Sequence, residues 1–249
     1  MFIKIQNRKI HYKKFGSGQP ILFVHGWGGS IHSLHALADL ASRRYTCILL
    51  DLPGFGKSDN PPPQWGVEGY AEVIKAFLKE LGIKRTHYVG HSFGGNVGIY
   101  LSTHESQLIN KLVLCNTSYK REKKVSSLAK ATKGIDRKEL PIIKQLYPIV
   151  KYVYYRIMHR DSDLMKYPHL ENNFRKIVTQ DLTPQLPKIK QQTLILWGEE
   201  DTQTPVIWAY ELYKLIPHAE IKVFPQIRHN LPIKYPQEVW TEIEPFLRA

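Results

Sequence analysis

Three side chains of this chain have the types that acyl transfer uses as nucleophile, acid and base: Ser92, Asp201 and His229. Ser92 lies in Tyr88-Val89-Gly90-His91-Ser92-Phe93-Gly94-Gly95-Asn96, a G-x-S-x-G pattern between a β-compatible segment and an apolar helical one. Such a pattern places a serine on a sharp strand-to-helix turn with its hydroxyl pushed outward. Gly90 and Gly94 leave clearance on either side of the turn, and Gly95 lets the following helix approach the sheet. A serine hydroxyl alone is a weak nucleophile, so the turn calls for a base and an acid elsewhere in the chain.

The candidates for those roles follow strands. Leu196-Trp197-Gly198-Glu199-Glu200-Asp201 closes an apolar strand, and Asp201 is expected to orient the base, with Glu200 its nearest competitor. Phe224-Pro225-Gln226-Ile227-Arg228-His229 closes the last strand, and His229 is the expected base among eleven histidines. The order Ser, Asp, His is the one that accompanies this turn. Acyl transfer also needs N–H donors aimed at the developing oxyanion. His25-Gly26-Trp27-Gly28-Gly29 follows another apolar strand, and the backbone N–H groups of Trp27 and Phe93 are the expected donors.

Two other chemistries are weaker. Gly56-Lys57-Ser58 resembles the end of a phosphate-binding loop, but position 51, where that loop needs glycine, is Asp51. A structured loop near the strand ends is expected instead. His32 and His35 lie close together without belonging to any metal-binding pattern. No metal and no cofactor is expected.

The elements that must hold these residues alternate. Strands are expected at Phe2–Ile5, Ile10–Lys14 (around a turn of Asn7-Arg8-Lys9), Ile21–Val24, up to Leu50, up to Val89, at Leu112–Cys115, Thr193–Trp197 and Ile221–Phe224. Helices are expected at Leu34–Ala41, Tyr70–Leu81 (ended by Gly82), Asn96–Thr103, Val206–Leu215 and Glu238–Leu247. The fold class is therefore α/β, a mainly parallel twisted sheet of about eight strands covered on both faces by helices. The alternation stops between residues 118 and 187. That stretch reads as a mostly helical insertion, basic early (Lys120, Arg121, Lys123, Lys124) and rich in tyrosine later. The expected division is a core of residues 1–117 and 188–249 with an insertion of 118–187.

Composition bounds the rest. The 249 residues, 43% hydrophobic and 23% charged, suit one globular core. No run reaches the roughly 18 apolar residues of a membrane span, and the first residues lack a signal-peptide pattern, so a cytoplasmic location is expected. Cys47 and Cys115 both sit in apolar runs and read as small buried hydrophobes. The net charge of +13 is unaccompanied by any nucleic-acid motif, so a lysine-rich solvated surface is favoured over a nucleic-acid partner. Assembly state is left open, monomer or dimer.

Taken together, the segments His25-Gly26-Trp27-Gly28-Gly29, Asp51-Leu52-Pro53-Gly54-Phe55-Gly56-Lys57-Ser58, Gly90–Gly95, Trp197–Asp201 and Arg228-His229 make the chain resemble the α/β-hydrolase fold family along nearly its whole length. The likeness is to the small, cofactor-free serine hydrolases. It implies that the 118–187 insertion is a cap over the active site. It does not name the substrate class, because many chemistries share this fold and triad. The reading favoured here is a small-molecule carboxylic ester, thioester or lactone, with apolar walls supplied by an aromatic cap. Ser92 sets the chain apart from dehalogenases and epoxide hydrolases of this fold, which carry aspartate there. Trp27 sets it apart from lipases with a His-Gly-Gly-Gly loop. C–C bond hydrolases and cofactor-free perhydrolases share the same triad and remain alternatives. So does a ligand-binding receptor or scaffold on the same fold.

Overall fold

The computed structural model describes residues 1–120 and 166–249. Eight strands form one sheet: β1 (Phe2–Ile5), β2 (Arg8–Gly16), β3 (Gln19–Val24), β4 (Tyr45–Leu50), β5 (Thr86–His91), β6 (Ile109–Cys115), β7 (Thr193–Gly198) and β8 (Ala219–Phe224). Their spatial order is β1-β2-β4-β3-β5-β6-β7-β8. β1–β2 and β2–β4 pair antiparallel, and every later pair is parallel, with Ile21 opposite Cys47 and Val24 opposite both Leu50 and Gly90. The fold is therefore the expected mainly parallel sheet flanked by helices.

The chain leaves β3 to one side to form β4 and returns on the other side as β5. This reversal opens a crevice between the carboxyl ends of β3 and β5, the place where open parallel sheets bind ligands. His25 to Gly29 and His91-Ser92 emerge on its two sides.

Helices α1 (His35–Ala41), α2 (Val67–Glu80), α3 (Phe93–His104), α4 (Glu171–Thr179), α5 (Ile207–Leu215), α6 (Leu231–Lys234) and α7 (Pro236–Arg248) are the α-helices among the described residues. Strand β3 shows why both faces need cover. Leu22 and Val24 pack with Ile74, Phe77 and Val97 of α2 and α3, while Ile21 and Phe23 pack with Leu37, Val239 and Ile243 of α1 and α7. Each such side chain removed from water contributes roughly 1.5–3 kcal/mol, which drives the two-layer cover.

Several boundaries differ from expectation for physical reasons. The β1–β2 turn is Gln6-Asn7, not Asn7-Arg8-Lys9. Both residues have positive φ (48° and 64°), and Ile5 pairs with Arg8, as a two-residue hairpin requires. Helix α2 starts three residues before Tyr70 because Gln180, distant in sequence, accepts a hydrogen bond from the Val67 N–H at 2.8 Å. Its end is as expected. Gly82 has φ +69° and the Ile83 N–H closes back on the Leu78 carbonyl, a helix stop that glycine favours. Within the expected 118–187 insertion, residues 121–165 lie outside those described, and so does most of its basic and tyrosine-rich sequence. The described part holds α4 between two 3₁₀ turns, Pro168–Leu170 and Thr183–Lys188.

The loop after β4 is organised by one buried carboxylate. Asp51 accepts hydrogen bonds from the Ile31 N–H (2.7 Å), the Lys57 N–H (2.9 Å) and the His11 ring (2.8 Å). The residue that breaks the phosphate-loop spacing thus fills its loop with its own oxygens. Next to it, the Leu52 N–H donates to His25 Nε2 at 3.0 Å, which couples this loop to the crevice. Asp51→Ala would strand these buried donors. We expect a loss of about 3 kcal/mol or more, read as a lowered urea midpoint, and a smaller loss for Asp51→Asn, which keeps one acceptor oxygen.

Candidate active site

Ser92 sits between β5 and α3 with φ 51° and ψ −117°, a conformation few residues adopt. The turn is held by the Ser92 N–H bonding to the Cys115 carbonyl at 2.9 Å and by the Gly95 N–H bonding back to Ser92 at 2.9 Å. Glycine is needed around it. A Cβ on Gly94 would meet the Val24 carbonyl oxygen at 2.2 Å, and one on Gly90 would meet the Gly94 carbonyl oxygen at 2.6 Å. The clearance expected of these two glycines is therefore present.

Asp201 and His229 come together at the ends of β7 and β8. His229 Nδ1 lies 2.8 Å from Asp201 Oδ2, and both residues are buried. The loops can approach because Gly198 ends β7. A Cβ there would meet the Ile227 carbonyl oxygen at 2.3 Å. Glu200, the sequence competitor, points away to an exposed pairing with Arg228 at 3.7 Å. With Nδ1 donating to Asp201, Nε2 is the ring nitrogen left for other partners. Ser92 and His229 line one cavity of about 350 Å³.

Three residues that sequence reasoning did not single out complete this arrangement. Asn116, at the end of β6 with φ 48°, donates from Nδ2 to Asp201 Oδ2 at 2.6 Å. Thr204 donates its N–H to Asp201 Oδ1 at 2.9 Å and its hydroxyl to Oδ2 at 2.5 Å. Its position three residues after an aspartate is a signal for such a turn, since aspartate commonly binds backbone just ahead of it. Burial alone would raise the Asp201 pKa. The hydrogen bond and charge of His229, with the Thr204 bonds, outweigh that and hold it below the usual carboxylate range. The third residue is His91, whose Nε2 donates to the His229 carbonyl at 2.9 Å, so the residue before the serine fixes the loop that carries the histidine.

The segment expected to supply an oxyanion donor lies against the serine, since a Cβ on Gly26 would fall 3.1 Å from Ser92 Cβ. His25 holds this segment by donating from Nδ1 to the Gly26 carbonyl at 2.7 Å. Trp27 lines the cavity beside Ser92. Phe93 opens α3, where the first N–H groups have no acceptor within the helix. Tyr167 bonds the Gly28 carbonyl at 3.0 Å, and Phe174 meets the Trp27 ring edge-on at 5.2 Å. The described lining is largely polar, with Ser33, Lys166, Gln203 and Asn230 alongside Trp27 and Ile233. The tyrosine-rich stretch expected to supply apolar walls lies outside the described residues.

His32 and His35 do not join the site. The His35 ring is bonded to Asp39 (2.9 Å) and lies 2.8 Å from Lys13 Nζ. No cluster of three potential metal ligands occurs among the described residues. Both cysteines are buried and unpaired, and burial pushes each thiol up to about 12. No described helix is long and apolar enough to cross a membrane.

Burial, then the charge of His229, pushes His91 down to about 3, and burial with Lys111 and Arg85 pushes His87 down to about 4. A histidine whose folded pKa is depressed is protonated more readily when unfolded. Its contribution is whole above the ordinary value near 6.5 and is lost as pH falls toward the folded value. Each such group costs up to roughly 1.4 kcal/mol per pH unit across that window. Urea midpoints should therefore drop between pH 6.5 and 4.5, and the drop should be shallower in His91→Gln than in the wild type.

Comparison with known proteins agrees with this architecture. A family model described as alpha/beta hydrolase fold matches residues 19–141. The 2-hydroxy-6-oxo-6-phenylhexa-2,4-dienoate hydrolase of Burkholderia cepacia is 26% identical over 90% of this chain and 86% of its own. The uncharacterized hydrolase YugF of Bacillus subtilis (strain 168) is 25% identical over 96% and 93%. Among solved structures, a thermophilic esterase from Thermogutta terrifontis superposes with a TM-score of 0.75 at 22% identity, covering 100% of this chain and 98% of its own. The meta-cleavage product hydrolase of Pseudomonas fluorescens IP01 does so with a TM-score of 0.75 at 21% identity, covering 100% and 97%. With the sheet order, the serine turn and the sequence match in agreement, this chain belongs to the α/β-hydrolase fold family.

Proposed function

We propose that this hydrolase cleaves a carboxylic ester, or a thioester or lactone, through Ser92, His229 and Asp201. The observation that carries the reading is the buried 2.8 Å contact of His229 Nδ1 with Asp201, made by a histidine that shares a cavity with a serine on a strained turn. In this reading His229 Nε2 removes the Ser92 proton as Oγ attacks the carbonyl. Asp201 stabilises the resulting imidazolium, with Asn116 and Thr204 keeping the carboxylate ionised and aimed. The N–H groups of Trp27 and Phe93 hold the tetrahedral oxyanion. His229 then protonates the leaving alcohol, and water repeats the cycle on the acyl-enzyme. No cofactor or metal takes part.

Residues 118–187 act in this reading as a cap. The described part supports it, because Tyr167 and Phe174 reach down onto Gly28 and Trp27 beside the serine. The polar lining favours a small substrate with hydrogen-bonding or anionic groups over a long lipid.

A second reading is hydrolysis of a C–C bond in a vinylogous diketone by the same three residues. Its support is the naming of similar proteins, among them the Burkholderia cepacia hydrolase above and a 2-hydroxy-6-oxononadienedioate/2-hydroxy-6-oxononatrienedioate hydrolase of Comamonas testosteroni, 25% identical over 90% of this chain. Both names describe carboxylate substrates, which the polar lining with Lys166 would accommodate.

Ser92→Ala is expected to lower turnover of p-nitrophenyl acetate or butyrate by roughly 10⁴-fold or more and to abolish labelling by a fluorophosphonate probe. Unchanged turnover in that variant would reject the nucleophile. Parallel assays of p-nitrophenyl esters, lactones and 2-hydroxy-6-oxo-dienoates separate the two readings. A kcat/KM at least about a hundredfold higher on the dienoates, roughly 2.7 kcal/mol in transition-state binding, would select C–C cleavage.

A further inference from the structure

A second and larger concavity lies at the opposite end of the sheet. It measures about 720 Å³, against about 350 Å³ beside Ser92. Its walls are the turns that lead into three neighbouring parallel strands: Lys84-Arg85 before β5, Ser106 to Lys111 entering β6, and Lys190 to Gln192 before β7. β5 begins at Thr86, next to Arg85, and ends at His91, next to Ser92. Six residues at about 3.3 Å each separate the two ends by roughly 17–20 Å, so this cleft takes no part in chemistry at the serine.

Four cations line it, Lys84, Arg85, Lys111 and Lys190, and no acidic side chain does. The remaining lining is neutral and, apart from Ile109, polar. Lys84, Arg85 and Lys190 are exposed, and none has an ion-pair partner among the described residues. Lys111 is anchored by donating to the Phe246 carbonyl at 2.7 Å. Two acids adjoin this lining, Glu105 just before Ser106 and Glu220, whose charge reaches Lys111. Glu105 is bound to Lys75 at 2.5 Å, and Glu220 opposes the charge of Lys111 from outside the lining. Behind the cleft, the charges of Lys111 and Arg85 both reach buried His87 and disfavour its protonation. The two cations therefore act on one region rather than as separate solvated side chains.

Converging like charges repel one another, and a bound anion of matching multiplicity relieves that repulsion. Arginine contributes a planar fork that suits phosphoryl oxygens, and the lysines add compact charge around it. The lining is confined to the turns that enter three adjacent strands, a short footprint that suits a small anion rather than a track along a polymer. We infer that the cleft bounded by Lys84, Arg85, Lys111 and Lys190 binds the phosphoryl groups of a small, multiply charged soluble anion, of the di- or triphosphate class. This also gives part of the +13 net charge a location and a use.

The test is titration calorimetry of the full chain with inorganic triphosphate at low salt. One site per chain is expected, with affinity at least about tenfold weaker in Lys84→Ala/Arg85→Ala/Lys190→Ala. A matched variant that removes equal charge elsewhere, Lys4→Ala/Lys79→Ala/Lys214→Ala, should bind as the wild type does. All six positions are exposed, so both variants should keep the wild-type melting temperature. Equal weakening in both variants, several sites per chain, or no triphosphate binding by the wild type would overturn the inference. Flotation with phosphatidylglycerol vesicles identifies a lipid source. Vesicle binding that needs Lys84, Arg85 and Lys190 but is not displaced by triphosphate would also overturn the soluble-ligand form. So would a tighter, steeply salt-dependent affinity for an oligonucleotide through the same residues.

Discussion

A carboxylate withdrawn from water must find donors, and the way Asp201 finds them organises the carboxyl edge of this sheet. Its two oxygens draw on three different segments: Asn116 from the end of β6, the Gln203 and Thr204 turn after β7, and His229 from the loop after β8. Each donor satisfies part of a desolvation cost that burial would otherwise impose, and the set holds the group ionised. The same contacts fix which nitrogen of His229 faces Asp201. Geometry and protonation are thus set together by one buried charge.

The serine side of the site rests on a different constraint, the close passage of backbone past backbone. Ser92 is held in an unfavourable conformation by bonds to Cys115 and Gly95, while β3 runs so near that the Gly94 position admits no side chain. Such strain persists only where the surroundings over-determine it. Here they do, because β5 is buried along its length between β3 and β6. His91 joins the two halves, since it belongs to the serine turn and bonds the backbone of His229.

The two ends of the sheet differ in character. The carboxyl edge carries a compact, internally paired polar cluster, with Asp51 doing for the loop after β4 what Asp201 does for the loops after β7 and β8. The amino edge between β5 and β7 carries cations without matching acids. The carboxyl-edge pattern is tied to the fold, because buried carboxylates there hold the loops together. The amino-edge turns are free to acquire charge without disturbing the core.

Much of this was legible from residue types and spacing. Apolar runs such as Ile21–Val24 announce strands buried on both faces, Gly82 announces a helix end, and the glycines around Ser92 announce a turn that admits no side chains. The ordering of Ser92, Asp201 and His229 along the chain, with strands before each, marks them as one group. These features are local, carried by the period of burial and by backbone conformations that few residues tolerate. Other features were not legible because their causes lie far away in sequence. Helix α2 begins at Val67 on account of Gln180, and Asp201 rather than Glu200 meets the histidine because Asn116 and Thr204 receive it. Asn116 and His91 carry no pattern of their own. Lys84, Arg85, Lys111 and Lys190 read as scattered surface charge until β5, β6 and β7 lie side by side. Sequence sets what each segment prefers, whereas long-range pairing of strands sets which side chains share a solvent-excluded space, and there the interactions between charges and hydrogen-bonding groups are decided.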